Sequence, residues 1–273
     1  MIKIISDSTS YLKKEEAQEM DVKILPVIYK SGNYIYLENF SGQEENLDDL
    51  IRNADRYITS HPDEDSFIRS FQEEIDKGNK VLCITLSSRL SRAYYAAKKA
   101  ASFFDKKDVA VFDSLGTAGK NYLLIRTAKT LINKNLSLEE IVSKLEETRD
   151  KIKTYFSIND MQSLRRSGRI GFVRMSVGNI MNKTPILALK EGTVVFEDMA
   201  RGQTHVVKML TESINKNTEA VVINYIENTS TAIAVHNVLK SRYPDLLIKL
   251  RKAGPILGIH LGFGFVGVSS LEK

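Results

Sequence analysis

Short apolar runs that alternate with helical patterns dominate the first half of the sequence. The runs have the length of strands, are bounded by Asp, Ser or Gly, and cover 3–6, 23–29, 80–85 and 109–112. Helical patterns cover 13–20, 63–77, 91–104, 119–133 and 137–148. Strands that alternate with helices of this length are typical of a parallel sheet with right-handed helical crossovers. The first half is therefore predicted to fold as an α/β lobe.

The second half of the sequence has a different pattern. Two apolar runs at 185–189 and 194–199 flank the turn Lys190-Glu-Gly-Thr, which predicts a β-hairpin. Helices are predicted at 204–215 and 229–242, and strands at 220–225 and 246–252, before a Gly-rich ending. We therefore expect an α/β lobe of residues 1–155 and an α+β lobe of residues 156–273, with the ligand site in the cleft between them.

The composition is that of an ordinary globular protein. Lys and Arg number 39 against 34 Asp and Glu, and the net charge of +5 is too mild for the basic stripe of a nucleic-acid-binding protein. The single cysteine, Cys83, lies in an apolar run, so we expect a buried thiol and no disulfide framework. No run is long enough for a signal peptide or for the roughly 18 apolar residues of a membrane span. We expect a soluble, cytoplasmic protein.

Standard catalytic and metal-binding signatures do not match this sequence. The segment from Gly116 to Lys120 has two residues between its glycines, where the Walker phosphate loop has four, and Asn121 follows in place of Ser or Thr. The four histidines lack the spacing of metal ligands on one face. A G-x-S-x-G nucleophile elbow is also absent. We therefore expect no catalytic residue, no metal and no cofactor.

Hydroxyl-bearing residues recur where predicted strands end. The segments are Ser6 to Ser10, Thr59-Ser60, Leu86 to Ser91 and Asp113-Ser114. Ser, Thr and Asp are favoured as helix caps and in turns, which is one interpretation of each segment. Their recurrence at strand ends, where ligands gather in open α/β sheets, favours a binding site. The helix predicted from Ser91 has Arg92 and no acid in its first turn, which leaves its N-terminus available for an anionic ligand.

These segments, together with others later in the chain, resemble the ordered motifs of the DegV family. The later segments are Ser167-Gly168-Arg169-Ile170, residues 183–187, Arg201-Gly202 and His260-Leu261-Gly262-Phe263-Gly264. The resemblance spans nearly the whole chain. It implies an N-terminal α/β lobe that binds the lipid head group, a C-terminal α+β lobe, and a buried tunnel for an acyl chain between or beneath them.

The same resemblance implies a function. DegV proteins are bacterial fatty-acid-binding proteins, and several act as the non-catalytic subunit that presents the bound carboxylate to a fatty acid kinase, which forms acyl phosphate. The implied partners are a long-chain fatty acid and the catalytic subunit of the kinase. Contact with a membrane would be transient at most, and no nucleic acid is expected.

Position by position, the resemblance assigns roles to residues of this sequence. The family's carboxylate-binding Thr and Ser fall on Thr59 and Ser91, and its terminal histidine falls on His260, near the head group. We add the neighbours Ser60 and Arg92 as ligand-binding candidates. Arg92 either points away from the ligand or pairs directly with its carboxylate.

Two arginines match positions that the family is thought to use in presenting the ligand to the kinase, Arg169 and Arg201. Independently of the resemblance, Arg165, Arg166 and Arg174 lie in the same short segment as Arg169. A solvated basic face is one interpretation of this cluster. A docking surface for an acidic or nucleotide-bearing partner is the other.

The sequence departs from the usual family pattern at several places. His61 stands where Gln is usual, Arg92-Ala93 where Gly-Thr is usual, and Phe263 where Pro is usual, and the segment 32–56 lacks the family's acidic and glycine-bearing pattern. The chain is therefore expected to be a divergent member.

Two alternatives to the fatty-acid-presenting function remain open. One is an acid–base enzyme that uses Asp7, Asp113 and His260 on a small acyl or phosphorylated substrate, and the other is a lipid-responsive regulatory protein without a kinase partner.

Overall fold

Helices and strands alternate along most of the chain. The structure, a computed structural model, describes residues 1–42, 47–159, 161–169 and 183–273, with only the backbone at 47 and 48. The elements of the first part are β1 (Ile2–Asp7), α1 (Lys14–Glu19), β2 (Val22–Leu25), β3 (Val27–Ser31), β4 (Tyr34–Glu38), α2 (Leu47–Asn53), β5 (Ile58–Ser60), α3 (Glu64–Asp76), β6 (Lys80–Thr85), α4 (Ala93–Ala101), β7 (Val109–Asp113), α5 (Gly119–Asn133) and α6 (Leu138–Asp150).

A parallel sheet of four strands organises this first part. Its order is β2-β1-β6-β7, and every neighbouring pair is parallel. Helices α3 and α4 cover the face that carries Ile5 and Cys83, while α5 and α6 cover the face that carries Ile4 and Leu82. Burial on both faces explains why these strands appear in the sequence as continuous apolar runs. The predicted parallel α/β lobe is confirmed.

The prediction of one strand over 23–29 is wrong. Pro26 separates β2, which pairs with β1, from β3, which pairs antiparallel with β4 and β5 in a separate sheet of three strands. Because proline has no N–H group to give to a strand ladder, the chain changes sheets at this residue. The N–H group of Val27 donates to the Ser8 hydroxyl at 3.1 Å, which fixes the new direction.

The second part of the chain forms a mixed sheet of six strands. Its elements are β8 (Ile152–Ser157), α7 (Met161–Ser167), β9 (Thr184–Lys190), β10 (Thr193–Ala200), α8 (Gly202–Thr211), β11 (Thr218–Tyr225), α9 (Thr229–Arg242), β12 (Leu247–Lys252), α10 (Pro255–Leu261) and β13 (Val266–Glu272). The strand order is β10-β9-β8-β13-β11-β12. The predicted hairpin is confirmed as β9 and β10, whose two-residue turn places Glu191 and Gly192 at φ values of 49° and 79°.

Four described elements of this part were not predicted from the sequence. Strand β8 follows α6 directly, α7 comes next, and the Gly-rich ending contains α10 and β13. Strand β13 lies inside the sheet, between β8 and β11. Its Gly267 is required by packing, because a Cβ atom there would lie 2.7 Å from a ring carbon of Phe265.

The two parts of the chain share one core. Helix α5 packs against β11 and β13 as well as the parallel sheet, and Val222 and Leu271 belong to the same apolar cluster as Ile4. The chain passes the expected lobe boundary at residue 155 inside β8, and the division into lobes stays a prediction. No helix within the described ranges is both long and apolar enough to cross a lipid bilayer.

Candidate ligand-binding site

A cavity of about 450 Å³ lies where the loops after β1, β6 and β7 face the six-stranded sheet. Side chains from both parts of the chain form its wall, and apolar atoms contribute most of the wall's surface. Representative apolar members are Leu86, Leu90, Phe156, Leu189, Val194 and Leu257. The volume lies in the range of cavities that enclose small-molecule ligands. An apolar cavity of this kind suits a ligand with a substantial hydrocarbon portion.

Thr59, Ser60, Ser91, Arg92 and His260 all line the cavity, and we call this group of residues the mouth. All five residues that we expected to bind the ligand therefore border the same space, although their role there stays a prediction. The Oγ1 atom of Thr59, on β5, lies 2.8 Å from the Nε2 atom of His260, on α10. Ser60 and Arg92 are exposed, so this end of the cavity adjoins solvent.

A buried carboxylate holds α10, and thereby His260, in place. Glu38, at the end of β4, is only 5% exposed; its Oε2 atom accepts from the N–H group of Ile256 at 2.9 Å, and its Oε1 atom accepts from the Ser8 hydroxyl at 3.1 Å. A carboxylate at a helix N-terminus is favoured both by the free N–H groups and by the helix dipole. No local pattern in the sequence indicates this role, because Glu38 lies 218 positions before its partner.

The electrostatic environment keeps His260 neutral. Burial, and after it the nearby Arg169 guanidinium, lowers the pKa of His260 from 6.5 to about 4. A neutral imidazole has one nitrogen that donates and one that accepts. His260 can therefore exchange a hydrogen bond with the Thr59 hydroxyl and leave that hydroxyl, or the imidazole itself, as a donor to an anion.

We expect the imidazole of His260 to stay neutral down to about pH 4 in the ligand-free protein. Because its folded-state pKa is depressed below 6.5, the unfolded chain takes up this proton first as pH falls. The free energy of unfolding therefore decreases between about pH 6.5 and pH 4, by up to about 3 kcal/mol. NMR titration of the ring measures the pKa, and His260→Asn should lose this part of the pH dependence. A midpoint at or above 6.5 would contradict the geometry.

Ser91 and Arg92 lie at the start of α4, which begins two residues later than predicted, at Ala93. The Oγ atom of Ser91 accepts from the N–H group of Ala93 at 3.2 Å, so its hydroxyl does act at a helix start. That bond uses the oxygen as an acceptor and leaves the hydroxyl hydrogen available to an anion. Arg92 occupies the N-cap position with its side chain exposed.

The two aspartates of the acid–base hypothesis lie outside the cavity wall. Asp7 is fully buried and accepts from the N–H groups of Thr9 and Leu86, and burial raises its pKa. Asp113 accepts from two backbone N–H groups at 3.0–3.1 Å. Both carboxylates organise strand-end loops. Of the three proposed acid–base residues, only His260 borders the cavity.

The two predicted docking arginines lie in different places. Arg169, just after α7, is half-buried in the cavity wall; its Nε atom donates to the carbonyl of Leu90 at 3.4 Å, and its Nη1 atom donates to that of Ser167 at 2.5 Å. These bonds use two of its five N–H donors. Arg201 is exposed at the N-terminus of α8, outside the wall. Arg165 and Arg166 are exposed on α7, and Arg174 lies outside the described residues.

Sequence reasoning missed a second group of polar residues in the wall. We call Thr154, Asn224 and Ser269, which lie on β8, β11 and β13, the deep end of the cavity. They are 9%, 2% and 2% exposed, respectively. The alternation of Val with Gly or Ser over residues 266–269 was the available signal. It was missed because the Gly-rich ending was not assigned a strand.

Comparison with known proteins identifies the family. A family model described as "Uncharacterised protein, DegV family" matches residues 1–273. The chain belongs to the DegV family. The DegV domain-containing protein lin2658 of Listeria innocua is 26% identical over 279 residues, covering 98% of this chain and 97% of the relative. Protein DegV of Bacillus subtilis is 25% identical over 279 residues, covering 98% of both chains.

Solved structures of the DegV family have the same fold. A fatty-acid-binding DegV family protein from Thermus thermophilus has a TM-score of 0.89 at 23% identity, covering 100% of this chain and 99% of that one. A DegV family protein from Eubacterium eligens, loaded with heptadecanoic acid, has a TM-score of 0.86 at 19% identity and covers 100% of both chains. These likenesses confirm the mixed α/β architecture.

Proposed function

We propose that this protein binds a long-chain fatty acid, with the acyl chain in the apolar cavity and the carboxylate at the mouth. The observation that carries the proposal is the cavity of about 450 Å³, whose wall is mostly apolar while hydroxyls, an imidazole and a guanidinium meet at one end. The structural relatives from Thermus thermophilus and Eubacterium eligens, described as binding or carrying fatty acids, support it.

The residues at the mouth form one connected group. Thr59 contacts His260, and the Arg169 guanidinium is close enough to His260 to lower its pKa. Arg169 in turn bonds the carbonyl of Leu90, the residue before Ser91. We infer that the hydroxyls of Thr59 and Ser91 donate to the carboxylate while Arg169 supplies the opposite charge. The docking role first expected of Arg169 stays a prediction beside this one.

Tail and head group contribute differently to binding. Burial of an acyl chain is worth roughly 0.8 kcal/mol per methylene before ordering costs, whereas a hydrogen bond to a charged group adds about 1.5 to 3 kcal/mol. The tail therefore dominates affinity, and the polar residues at the mouth determine where the carboxylate stops.

The test of lipid binding is direct. Denaturing the purified protein and identifying the extracted small molecules by mass spectrometry should recover about one fatty acid per chain. Protein recovered without lipid should take up hexadecanoic acid in a calorimetric titration. A folded protein that yields no fatty acid and takes up none would refute the proposal.

We also propose that the bound carboxylate is presented to the catalytic subunit of a fatty acid kinase. The resemblance to acyl-presenting DegV proteins supports this step, as does the position of the polar group at the end of the cavity that adjoins solvent. The neutral His260 and the hydroxyls would hold the carboxylate without covering it. This chain would supply the substrate, and the partner would supply the phosphoryl-transfer machinery.

Arg201→Ala should reduce kinase turnover about tenfold or more while the lipid stays bound. Arg201 is exposed and outside the cavity wall, so its loss affects a partner surface rather than the ligand. Acyl phosphate formation by a bacterial fatty acid kinase subunit, measured with lipid-loaded protein, reports the effect. Lys208→Ala removes an exposed cation from the other end of α8 and serves as the matched control. Equal turnover in both variants would remove Arg201 from the docking surface.

A further inference from the structure

The deep end places three polar side chains on the buried side of the cavity. Thr154, Ser269 and Asn224 lie on one face of the six-stranded sheet, because Thr154 pairs with Ser269 and Asn224 pairs with Gly267, two residues away on the same strand. In contrast to the exposed Ser60 at the mouth, all three are almost completely buried. The cavity wall thus has buried polar groups in the core of the protein as well as polar groups that adjoin solvent.

The deep end is closely packed against the start of α5. The first residue of α5, Gly119, lies directly against it: a Cβ atom there would be 2.8 Å from the Oγ atom of Ser269 and 2.9 Å from the Oδ1 atom of Asn224. The Thr154 and Ser269 hydroxyls are 2.9 Å apart and hydrogen-bonded. Glycine is therefore needed at position 119 for the helix to approach these side chains.

The hydrogen-bonding capacity of the deep end is not used up. The Nδ2 atom of Asn224 is buried and has no hydrogen-bond partner among the described residues. The bond between the Thr154 and Ser269 hydroxyls uses one of their two O–H hydrogens. A buried donor without a partner is costly, and native proteins satisfy nearly all such groups. An alkyl chain packed against this end would leave the amide unpaired.

We propose that the preferred ligand is an oxygenated fatty acid, with a hydroxyl or carbonyl oxygen on the acyl chain remote from its carboxylate. This inference rests on the proposed function, because it assumes that the carboxylate lies at the mouth. An oxygen at the deep end accepts from the Asn224 amide, and a ligand hydroxyl also donates to the Ser269 or Thr154 oxygen. The apolar residues of the wall contact the intervening methylenes.

The test compares acids that differ only in the remote oxygen. Wild-type protein, stripped of lipid, is titrated with hexadecanoic acid and with a series of monohydroxyhexadecanoic acids whose hydroxyl moves along the distal half of the chain. At least one hydroxy acid should bind about tenfold more tightly than the parent. If hexadecanoic acid binds as tightly as every hydroxy acid, an ordered water satisfies the deep end and the proposal is wrong.

Two variants tie the preference to the deep end. Asn224→Leu should abolish the preference for hydroxy acids and strengthen the binding of hexadecanoic acid, because the unpaired amide is replaced by an apolar group of similar size. Ser269→Ala serves as a second deep-end variant if Asn224→Leu does not fold. Thr59→Val should lower the affinity for both acids equally and leave the ratio of the two affinities unchanged. A hydroxy acid preference that survives in a folded deep-end variant would overturn the assignment, whereas failure of every acid to bind the wild type would refute fatty-acid binding itself.

Discussion

Arg251→Met should lower the free energy of unfolding by about 3 kcal/mol. Arg251, on β12, is 4% exposed; its Nη1 atom donates to the carbonyl of Tyr11 at 2.9 Å, and its guanidinium pairs with Glu16 and lies 3.8 Å from the centre of the Tyr122 ring. Removing one partner of a buried ion pair typically costs 3 to 5 kcal/mol. The lower end of this range applies because Glu16 is partly exposed, so water can hydrate its carboxylate once Arg251 is removed.

Chemical denaturation measures this loss, and a second arginine provides the control. Arg126 makes only a 3.8 Å contact with Glu219 at the surface, so Arg126→Met should change stability by less than about 0.5 kcal/mol. Because both variants replace Arg with Met, the difference between their stability losses reports the effect of burial. Similar losses in the two variants would show that Arg251 does not join the two parts of the chain as its contacts indicate.

Val194→Trp should abolish fatty-acid binding. Val194 is 3% exposed and points into the cavity from β10, so an indole there occupies the space of the acyl chain. Excluding about four methylenes of the acyl chain from the cavity loses roughly 3 kcal/mol of binding free energy, which corresponds to more than about a hundredfold in affinity. Fatty acid recovered by mass spectrometry and calorimetric affinity for hexadecanoic acid both report the effect.

The adjacent residue supplies the matched control for this experiment. Val195 is the next residue on β10, and its side chain points to the opposite face of the sheet. Val195→Trp adds the same indole to the same strand outside the cavity and should retain the ligand. Loss of lipid from both variants would point to disruption of β10, and retention by Val194→Trp would place the acyl chain elsewhere.

Local signals in the sequence account for what was predicted correctly. Continuous apolar runs revealed β1, β6 and β7, because strands covered on both faces need apolar side chains throughout. The turn residues Glu191 and Gly192 revealed the hairpin, since both adopt positive φ. Helix α6 was located by its capping box, in which the Ser137 hydroxyl accepts from the N–H group of Glu140 and the Glu140 carboxylate accepts from the N–H group of Ser137.

Features that depend on distant partners were not predictable in this way. The small sheet of β3, β4 and β5 has exposed apolar residues on its outer face, such as Ile35 and Ile58, so its pattern is not that of a buried strand. The role of Glu38 depends on Ile256, and that of Asn224 depends on Gly119. Such pairings arise from the packing of the chain rather than from its periodicity. Strand-end hydroxyls and the acid-free helix start indicated Thr59, Ser60, Ser91 and Arg92, whereas His260 was found only through the family motifs.

The span of the cavity wall links ligand binding to the folding of the entire chain. Its residues run from Thr9 to Ser269, so no contiguous segment contains the site. A ligand that binds only the folded chain stabilises it in proportion to the logarithm of its concentration over the dissociation constant. Occupancy would thus protect residues near both termini together, and the melting temperature of the protein would serve as a gauge of its lipid load.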